Sequence, residues 1–334
     1  MILPVNLGPD SYDIVLEPES LKRAGELLNL NRRVLIVTDE GVPEQYAQTL
    51  AAQCASPVVH TVPQGEGSKS FAVLEELLSH MLREGFTRGD CVCAVGGGVV
   101  GDLAGFTAAC FMRGVDFYNL PTTVLSQVDS SIGGKTAINL DGIKNIVGAF
   151  YQPKKVLIDT GALSTLPPRQ ISSGLAEAVK MALTSDAALF ELFETRPAAE
   201  HMERIIADSI RIKGRVVEQD EKEQGLRKIL NFGHTIGHGI ESVAGLYHGE
   251  CVALGMLPMC SDGVRARLLP VLKKLGLPTS VTADPEKVYE AMLHDKKSTG
   301  GALTVVRVDA PGSFVMERVT PEALRPRIDL VVKA

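Results

Sequence analysis

The chain has 334 residues, of which 45% are apolar and 22% charged, with no tryptophan and a formal net charge of −6. This composition is typical of a globular protein large enough for two domains, and it excludes disordered and collagen-like classes. The acidic balance argues against nucleic-acid binding, since phosphate backbones are met by basic patches.

The cysteines and the N-terminus bear on location. The six cysteines form no C-x-x-C pair and most lie in apolar runs, which favours reduced thiols and a cytoplasmic protein. The N-terminal sequence lacks a basic segment followed by an apolar stretch, and no apolar run reaches the roughly 18 residues that span a bilayer. We expect neither secretion nor membrane insertion.

The first 160 residues alternate between predicted strands and helices. Short β-branched runs predict strands at residues 12–16, 33–38, 58–62, 91–95, 117–120 and 155–158. Helical periodicity predicts helices at residues 19–28, 71–83 and 99–111. Such alternation predicts an α/β domain with a parallel sheet covered by helices on both faces.

A glycine-rich turn, Gly96 to Gly98, joins the strand at 91–95 to the helix at 99–111. A strand, such a turn and a helix N-terminus present backbone N–H groups and the positive end of a helix dipole to an anion. The order indicates a site for a phosphate-bearing cofactor; a plain tight turn is the alternative, because the G-x-G-x-x-G spacing is absent. A dense set of polar residues follows: Asp102, Thr122 and Thr123, and, in the turns predicted next, Asp129, Lys135, Lys144 and Asn145.

Two further polar positions lie near predicted strand ends. Asp39 follows the buried run at 33–38, where an acidic residue in a nucleotide-binding fold accepts ribose hydroxyls; a turn-capping role is the alternative. The loop PQGEGSKS sets Glu66 and Lys69 between glycines and serines, as functional and ordinary loops both do.

After residue 160 helical patterns predominate, and we place a domain boundary there. Predicted helices are residues 169–184, 202–217, 226–244, one that starts at 252, and 285–294. Residues 303–308 and 313–319 flank a turn and predict a hairpin.

Three histidines lie within NFGHTIGHGIESVAGLYHGE. His234 and His238 are four residues apart, so on a helix they share one face with Asn231 and Glu241, and His248 follows a glycine turn. Two imidazoles and one carboxylate hold a divalent metal with an open position that polarises a substrate oxygen. A hydrogen-bonded histidine pair without a metal is the alternative.

Glu177 is the best candidate for the carboxylate, because it lies in an otherwise apolar helix where an unpaired charge would be costly. Lys180 lies one turn further along the same face. Other charged residues of this half are singly typical of a solvated surface, but as a set they indicate a cleft for a polyanionic, hydroxylated substrate: Lys213, Glu223, Arg227, Asn231, Asp295, Lys296 and Lys297.

Six ordered motifs resemble those of the 3-dehydroquinate synthase family, in the sugar-phosphate cyclase superfamily. They are GGGVVGDLAGF, LPTTVLSQVDSSIGGKTAIN, GIKNIVGAF, GLAEAVK, NFGHTIGHGIE and YHGE, with DKK near residue 295. The resemblance implies a lyase that converts 3-deoxy-D-arabino-heptulosonate 7-phosphate to 3-dehydroquinate and phosphate. It also implies an NAD-binding α/β domain with a Rossmann-like nucleotide site at residues 1–160 and a mainly helical metal- and substrate-binding domain at residues 161–334.

In the family reaction, NAD oxidises a ring hydroxyl, phosphate leaves by β-elimination, the same NADH reduces the ketone, and ring opening with an aldol step closes the carbocycle. The metal polarises the hydroxyl, cationic side chains hold phosphate and carboxylate, and His238 or a nearby water relays protons.

Matching the motifs residue by residue implies three sets of site residues. Zinc or cobalt would be bound by Glu177, His234 and His248. The NAD site would be lined by Asp39, Glu66, Lys69, Gly97, Gly98, Val99, Asp102, Thr122, Thr123, Lys135, Lys144 and Thr165. Substrate would be surrounded by Arg113, Asp129, Lys135, Asn145, Lys180, Lys213, Arg227, Asn231, His238 and one of Lys296 or Lys297, with Arg113 reaching in from the partner of a homodimer.

The number of cations predicts the substrate. Arg113, Lys135, Asn145 and one lysine of the 296–297 pair suffice for a phosphate, which leaves Lys213 and Arg227 for a carboxylate. On one continuous helix Arg227, Asn231 and His234 share a face, which favours this role over a surface pair between Arg227 and Glu223.

Three other functions remain open: a metal- and NAD-dependent polyol dehydrogenase, a sibling cyclase whose substrate lacks a carboxylate, and a non-catalytic nucleotide-binding regulator. A non-catalytic regulator would not need Glu177, His234 and His248, so the presence of all three argues against it. One departure from the family is a stretch at 255–275 that is about ten residues shorter than expected and predicts a trimmed helix.

Overall fold

The computed structural model describes residues 1–295 and 302–333. It divides into two compact units, Met1–Leu166 and Pro167–Ala334. The strands are β1 (Ile2–Val5), β2 (Tyr12–Leu16), β3 (Arg33–Asp39), β4 (Ser56–Val62), β5 (Cys91–Gly96), β6 (Asp116–Pro121), β7 (Lys135–Leu140), β8 (Ile143–Phe150), β9 (Lys155–Ile158), β10 (Val281–Thr282), β11 (Leu303–Arg307), β12 (Val315–Val319) and β13 (Val332–Lys333).

The α-helices are α1 (Ala24–Leu27), α2 (Glu44–Ala51), α3 (Phe71–Arg83), α4 (Gly98–Cys110), α5 (Pro168–Ser185), α6 (Ala187–Thr195), α7 (Met202–Gln219), α8 (His234–Ala244), α9 (His248–Met256), α10 (Asp262–Lys274), α11 (Pro285–Asp295) and α12 (Arg325–Ile328). None of the helices within the described residues is long and apolar enough to cross a membrane. We predicted that residues 1–160 bind NAD and that residues 161–334 bind the metal and the substrate. This division of roles stays a prediction.

The first unit is built on a seven-stranded sheet of order β1-β2-β9-β6-β5-β3-β4. Only β1 runs antiparallel to its neighbour; the other neighbouring pairs are parallel. Successive residues of β3 point to opposite faces, so that Leu35 packs in a core with α3 and α4 while Ile36 packs with α1 and α2. The predicted parallel sheet with two covered faces is therefore confirmed.

Two local predictions for the first unit are wrong. The continuous helix at 19–28 is a 3₁₀ turn, Ser20–Arg23, followed by the four-residue α1, in which Gly25 weakens helix formation. Lys135, Lys144 and Asn145 do not lie in turns but on the antiparallel hairpin β7–β8. Its two-residue loop is Asp141 and Gly142, with φ of 51° and 77°, a dipeptide that favours tight hairpins.

The second unit is mainly helical, as predicted, and the hairpin predicted near residues 303–319 is confirmed by antiparallel pairing of β11 with β12. The short parallel pair β10–β13 had no sequence signal. The helix predicted from 252 begins earlier, at His248.

The predicted helix at 226–244 is broken. Leu226–Asn231 forms a 3₁₀ turn, Gly233 takes φ 79°, and α8 starts at His234. A Cβ at Gly233 would lie 2.7 Å from Met256 Cγ and 2.8 Å from Val252 O, so contact with α9 fixes the break. The predicted common helical face of Arg227, Asn231 and His234 is therefore wrong, because α8 carries only the last of the three.

Candidate functional site

Three helices of the second unit bring a carboxylate and two imidazoles together. Glu177 of α5 has a fully buried side chain, and its Oε1 lies 3.6 Å from Nε2 of His234 and 3.3 Å from Nε2 of His248. Donors around a tetrahedral ion with bonds of about 2.0–2.1 Å lie about 3.3–3.4 Å apart. The spacing therefore fits one divalent ion held by these three atoms, and the predicted ligands meet in one place.

The opposite ring nitrogens of both histidines are held by acceptors. Nδ1 of His234 lies 3.2 Å from the carbonyl oxygen of Phe232, and Nδ1 of His248 lies 2.9 Å from Oε2 of Glu241. An acceptor at Nδ1 keeps the proton there and leaves the Nε2 lone pair directed at a metal. The donor set and its supporting groups fit zinc or cobalt.

A second set of possible donors overlaps the first. His238, Glu241 and His248 also bring three donor atoms within 4.8 Å of one another. His238 and His234 lie edge to face with ring centroids 5.3 Å apart, as their spacing on one helix predicted. Because Glu241 is already the partner of His248 Nδ1, the set that contains Glu177 fits a metal better.

Protonation differs between the two histidines. Burial lowers the pKa of His234 to about 3. Burial also disfavours the charged form of His248, but hydrogen bonds to Glu177 and Glu241 outweigh it and raise the pKa to about 10. Lys180 forms an ion pair with Glu177 Oε2, and both side chains are buried. Without a metal, His234 is neutral and His248 is a cation at neutral pH.

Metal binding should therefore release about one proton per ion at pH 7.5, because a metal at Nε2 must displace the proton of His248. The raised pKa means that this proton is bound throughout the range below about 10, so metal affinity falls as the pH is lowered. Calorimetric titration of metal-free protein in two buffers of different ionisation enthalpy measures the release. Equal heats in both buffers would contradict the expectation.

Close backbone contacts set the position of the three helices. A Cβ at Gly249 would lie 1.8 Å from Ser173 O, and one at Gly255 would lie 1.9 Å from Gly233 O. Gly237 of α8 is restricted less severely, since its Cβ would lie 2.9 Å from Cys251 O. Only glycine permits such an approach. We call these four glycines, Gly233, Gly237, Gly249 and Gly255, the glycine seam.

A capping arrangement fixes the start of α9, where His248 is the first residue. Glu250 accepts a hydrogen bond from the Tyr247 backbone N–H at 2.8 Å, and Arg169 donates to both Glu250 oxygens at 2.6 and 2.8 Å. Sequence reasoning missed Arg169, Tyr247 and Glu250 as supporting residues. Their signal was a glutamate at the third position of a helix, which is typical of a capping box.

The glycine-rich turn of the first unit leads from β5 into α4, whose N-cap is Gly97 and has no side-chain cap. A Cβ at Gly97 would lie 3.2 Å from Thr123 Cγ2, and one at Gly98 would lie 3.0 Å from Ser130 Oγ. A side chain at either position would have to displace its neighbour slightly, so packing also favours these glycines. The backbone N–H groups in the first turn of α4, including that of Val99, form a helix N-terminus of the kind that binds phosphate.

Asp39 ends β3, the strand beside β5 in the sheet. Its Oδ1 accepts a hydrogen bond from the Gly41 N–H at 2.8 Å, so the turn-capping role is present. Burial raises the pKa of this carboxyl above its usual value.

Lys69 is the centre of a polar network in the first unit. Its Nζ lies 2.6 Å from Asp102 Oδ2 and 3.7 Å from Glu66 Oε1, and it also contacts Asn145 Oδ1. Asn139, which sequence reasoning missed, donates to Glu66 Oε1 at 2.9 Å and accepts from the Asn145 N–H at 2.8 Å. The network joins Asn145, expected at the substrate, to residues expected at NAD.

The other predicted residues of the first unit are more scattered. Thr123 Oγ1 lies 2.8 Å from Ser126 Oγ, the first residue of a π-helical turn, and Thr165 Oγ1 lies 3.0 Å from Tyr46 Oη. Thr122 is buried, Asp129 is half-buried in the π-helical turn, and exposed positions are taken by Arg113, Lys135 and Lys144.

Lys213 and Arg227 of the second unit are buried, with 6% and 1% exposure. Arg227 Nη1 donates to Glu221 O at 2.5 Å, and the Glu223 carboxylate accepts from Asn231 Nδ2 at 2.8 Å. A surface location for Arg227 is therefore wrong. Lys296 and Lys297 lie outside the described residues.

Comparison with known proteins gives consistent matches. The 3-dehydroquinate synthase N-terminal family model matches residues 59–173 and the C-terminal model matches residues 174–298. The 3-dehydroquinate synthase of Pelobacter propionicus is 42% identical, with 97% of each chain covered.

Two solved structures have the same fold. A 2-deoxy-scyllo-inosose synthase complexed with carbaglucose-6-phosphate, NAD+ and Co2+ is 26% identical, with a TM-score of 0.87 and 98% and 99% of the two chains covered. The 2-epi-5-epi-valiolone synthase of Streptomyces hygroscopicus subsp. jinggangensis 5008, with NAD+ and Zn2+ bound, is 28% identical, with a TM-score of 0.86 and 95% of each chain covered.

Proposed function

The chain belongs to the 3-dehydroquinate synthase family, and from that premise we propose which of its residues convert the heptulosonate phosphate to 3-dehydroquinate and phosphate. It is an NAD- and divalent-metal-dependent lyase that eliminates phosphate, which confirms the function and cofactors that the motifs implied. The observation that carries the residue assignment is the meeting of Glu177, His234 and His248 at ligand distances.

Glu177, His234 and His248 are the proposed metal ligands. When bound, the ion polarises the substrate hydroxyl while NAD accepts and returns a hydride. Lys180 holds Glu177 Oε2 and so directs Oε1 toward the two imidazoles, and its charge compensates that of the buried carboxylate.

His238 is the proposed proton relay. Its ring centroid lies 5.3 Å from that of His234 and 6.0 Å from that of His248, which puts it beside the two proposed imidazole ligands. A neutral imidazole carries one donor and one acceptor nitrogen, as a proton relay requires.

The turn that contains Gly97, Gly98 and Val99 is the proposed pyrophosphate site of NAD, and Asp39 the proposed ribose partner. The Lys69 network supports a role beside the same cofactor, because its ammonium is held by Asp102 and lies close to Glu66. Thr122, Thr123, Lys135, Lys144 and Thr165 complete the proposed set.

Arg227 and Lys213 are the proposed carboxylate site. Both are cations with little exposure, and a buried guanidinium gains most from a bidentate anion. The phosphate is assigned to Arg113, Lys135, Asn145 and one of Lys296 or Lys297, with Asp129 elsewhere beside the substrate and Asn231 near the carboxylate end.

We also propose a homodimer to which Arg113 contributes across the interface. The hairpin β7–β8 exposes Leu140, Ile143, Ile146 and Phe150, an apolar surface suited to a second copy. We further propose that the enzyme works in the reducing cytoplasm, where its six free thiols stay reduced.

Turnover should require NAD yet accumulate no NADH, because the hydride taken from the substrate is returned to it. The assay offers purified protein the heptulosonate phosphate with NAD and follows phosphate, 3-dehydroquinate and absorbance at the NADH band. A polyol substrate under the same conditions is the control. Stoichiometric release of NADH with the polyol, and no phosphate from the heptulosonate, would favour the polyol dehydrogenase instead.

A further inference from the structure

His60 of β4 and His80 of α3 face each other in the first unit, and the proposed function uses neither. Their Nδ1 atoms lie 2.8 Å apart, and their ring centroids 5.0 Å apart. The side chains are only 12% and 23% exposed, so the pair is part of the packing between the edge strand and the helix.

The far nitrogens of both rings face carboxylates. Nε2 of His60 lies 3.3 Å from Glu76 Oε1, and Nε2 of His80 lies 3.9 Å from Glu84 Oε1. Glu76 and His80 are four residues apart on α3 and share one face, and Glu84 follows four residues later at the C-cap of the helix. The Glu76 carboxylate favours a proton on His60 Nε2, which leaves the Nδ1 lone pair of His60 directed at His80 Nδ1. An approach of 2.8 Å between the two nitrogens requires either a proton on His80 Nδ1 or a metal ion bound to both.

We propose that His60 and His80 form a second binding site for a divalent transition-metal ion, with the two Nδ1 atoms as ligands. Nitrogen donors at right angles around an ion with bonds of about 2.0–2.1 Å are about 2.9 Å apart, and at a tetrahedral angle about 3.3–3.4 Å. The observed 2.8 Å fits the right angle, which is the geometry of Ni²⁺ and Cu²⁺ rather than tetrahedral Zn²⁺.

Two further observations support the site. Glu76 lies beside the far nitrogen of His60, as carboxylates lie beside metal-binding histidines in other proteins. Burial lowers the pKa of His60 below its usual value, with the nearby Glu76 acting in the opposite direction, so protons compete weakly with a metal at neutral pH. The positive charges of His80 and Arg83 also lower the pKa of His60.

The site joins two elements that flank a functional loop. β4 ends at Val62, α3 begins at Phe71, and the loop between them carries Glu66 and Lys69. An ion bound to residues 60 and 80 in the folded chain stabilises the folded state relative to the unfolded one.

The test is the number of Ni²⁺ ions that the full chain binds at pH 7.5, measured by equilibrium dialysis and elemental analysis. His80→Gln should bind one ion fewer per chain than the wild type, and His60→Gln likewise. His201→Gln, which removes an imidazole from the 3₁₀ turn Ala198–His201, is the matched control and should bind as many as the wild type. Because the comparison is a difference, it does not depend on whether Ni²⁺ also enters the Glu177 site.

Thermal unfolding gives an independent readout. Ni²⁺ should raise the melting temperature of the wild type by more than that of His80→Gln, while the two agree in excess chelator. If His80→Gln fails to fold, ¹⁵N spectra of the wild-type histidine rings replace it, and Ni²⁺ should broaden the Nδ1 signals of His60 and His80. Equal Ni²⁺ content in all variants, or unbroadened signals, would overturn the proposal and leave a pair that shares a proton only.

Discussion

His234→Ala should lose its divalent ion and at least about 1,000-fold in kcat/KM, or roughly 4 kcal/mol of transition-state stabilisation. The imidazole supplies one of three protein donors, and the buried Glu177 beside it is then left with a single histidine partner at the site. Elemental analysis after dialysis measures the ion, and release of phosphate measures the activity.

His238→Ala is the matched control, because the two residues lie one turn apart on α8. It should keep its metal and lose activity, as expected of a proton relay. The reverse pattern, with metal kept in His234→Ala and lost in His238→Ala, would move the ion to the overlapping set of His238, Glu241 and His248.

Arg227→Ala should lower kcat/KM for the heptulosonate phosphate at least about 30-fold, or 2 kcal/mol, while kcat/KM for sedoheptulose 7-phosphate changes little. The wild type should strongly prefer the first substrate, because a neutral terminus cannot compensate a guanidinium that is only 1% exposed. Arg227→Lys keeps the positive charge but cannot make two parallel hydrogen bonds to a carboxylate. Its kcat/KM for the heptulosonate phosphate should therefore lie between those of the wild type and Arg227→Ala.

The ratio of kcat/KM for the two substrates, measured with one variant, does not depend on how much of that variant is folded. Arg265→Ala, which removes hydrogen bonds to Leu257 O and Cys260 O, is the control and should leave the ratio unchanged. Comparable turnover of both substrates by the wild type, or an unchanged ratio in Arg227→Ala, would count against a carboxylate role.

The sheet and the metal ligands were predictable because their signals are local or chemically specific. The β-branched run of β3 is buried on both faces, which only a parallel sheet with two helical layers allows. Glu177 was recognisable because a carboxylate in an apolar helix needs a partner.

The break before α8 was not predictable from local pattern, since apolar periodicity runs through it and contact with residues of α9 enforces it. That error removes the reason for placing Arg227 beside the metal, and the proposed carboxylate role rests instead on the burial of its guanidinium. The hairpin β7–β8 differs from this case, because its turn dipeptide, Asp141–Gly142, is a local signal from which the hairpin could have been predicted.

The glycine seam has a consequence for anyone who tries to evolve this enzyme toward other sugar phosphates. A methyl group at Gly249 or Gly255 would lie within 2 Å of a backbone oxygen, where no side-chain rearrangement gives relief. A library that randomises α8 and α9 would therefore consist largely of inactive clones, whatever substrate is screened. Diversity is better placed outside these two helices, for example at Leu226 or Lys228 of the turn Leu226–Asn231, in which Arg227, Ile229 and Leu230 are buried.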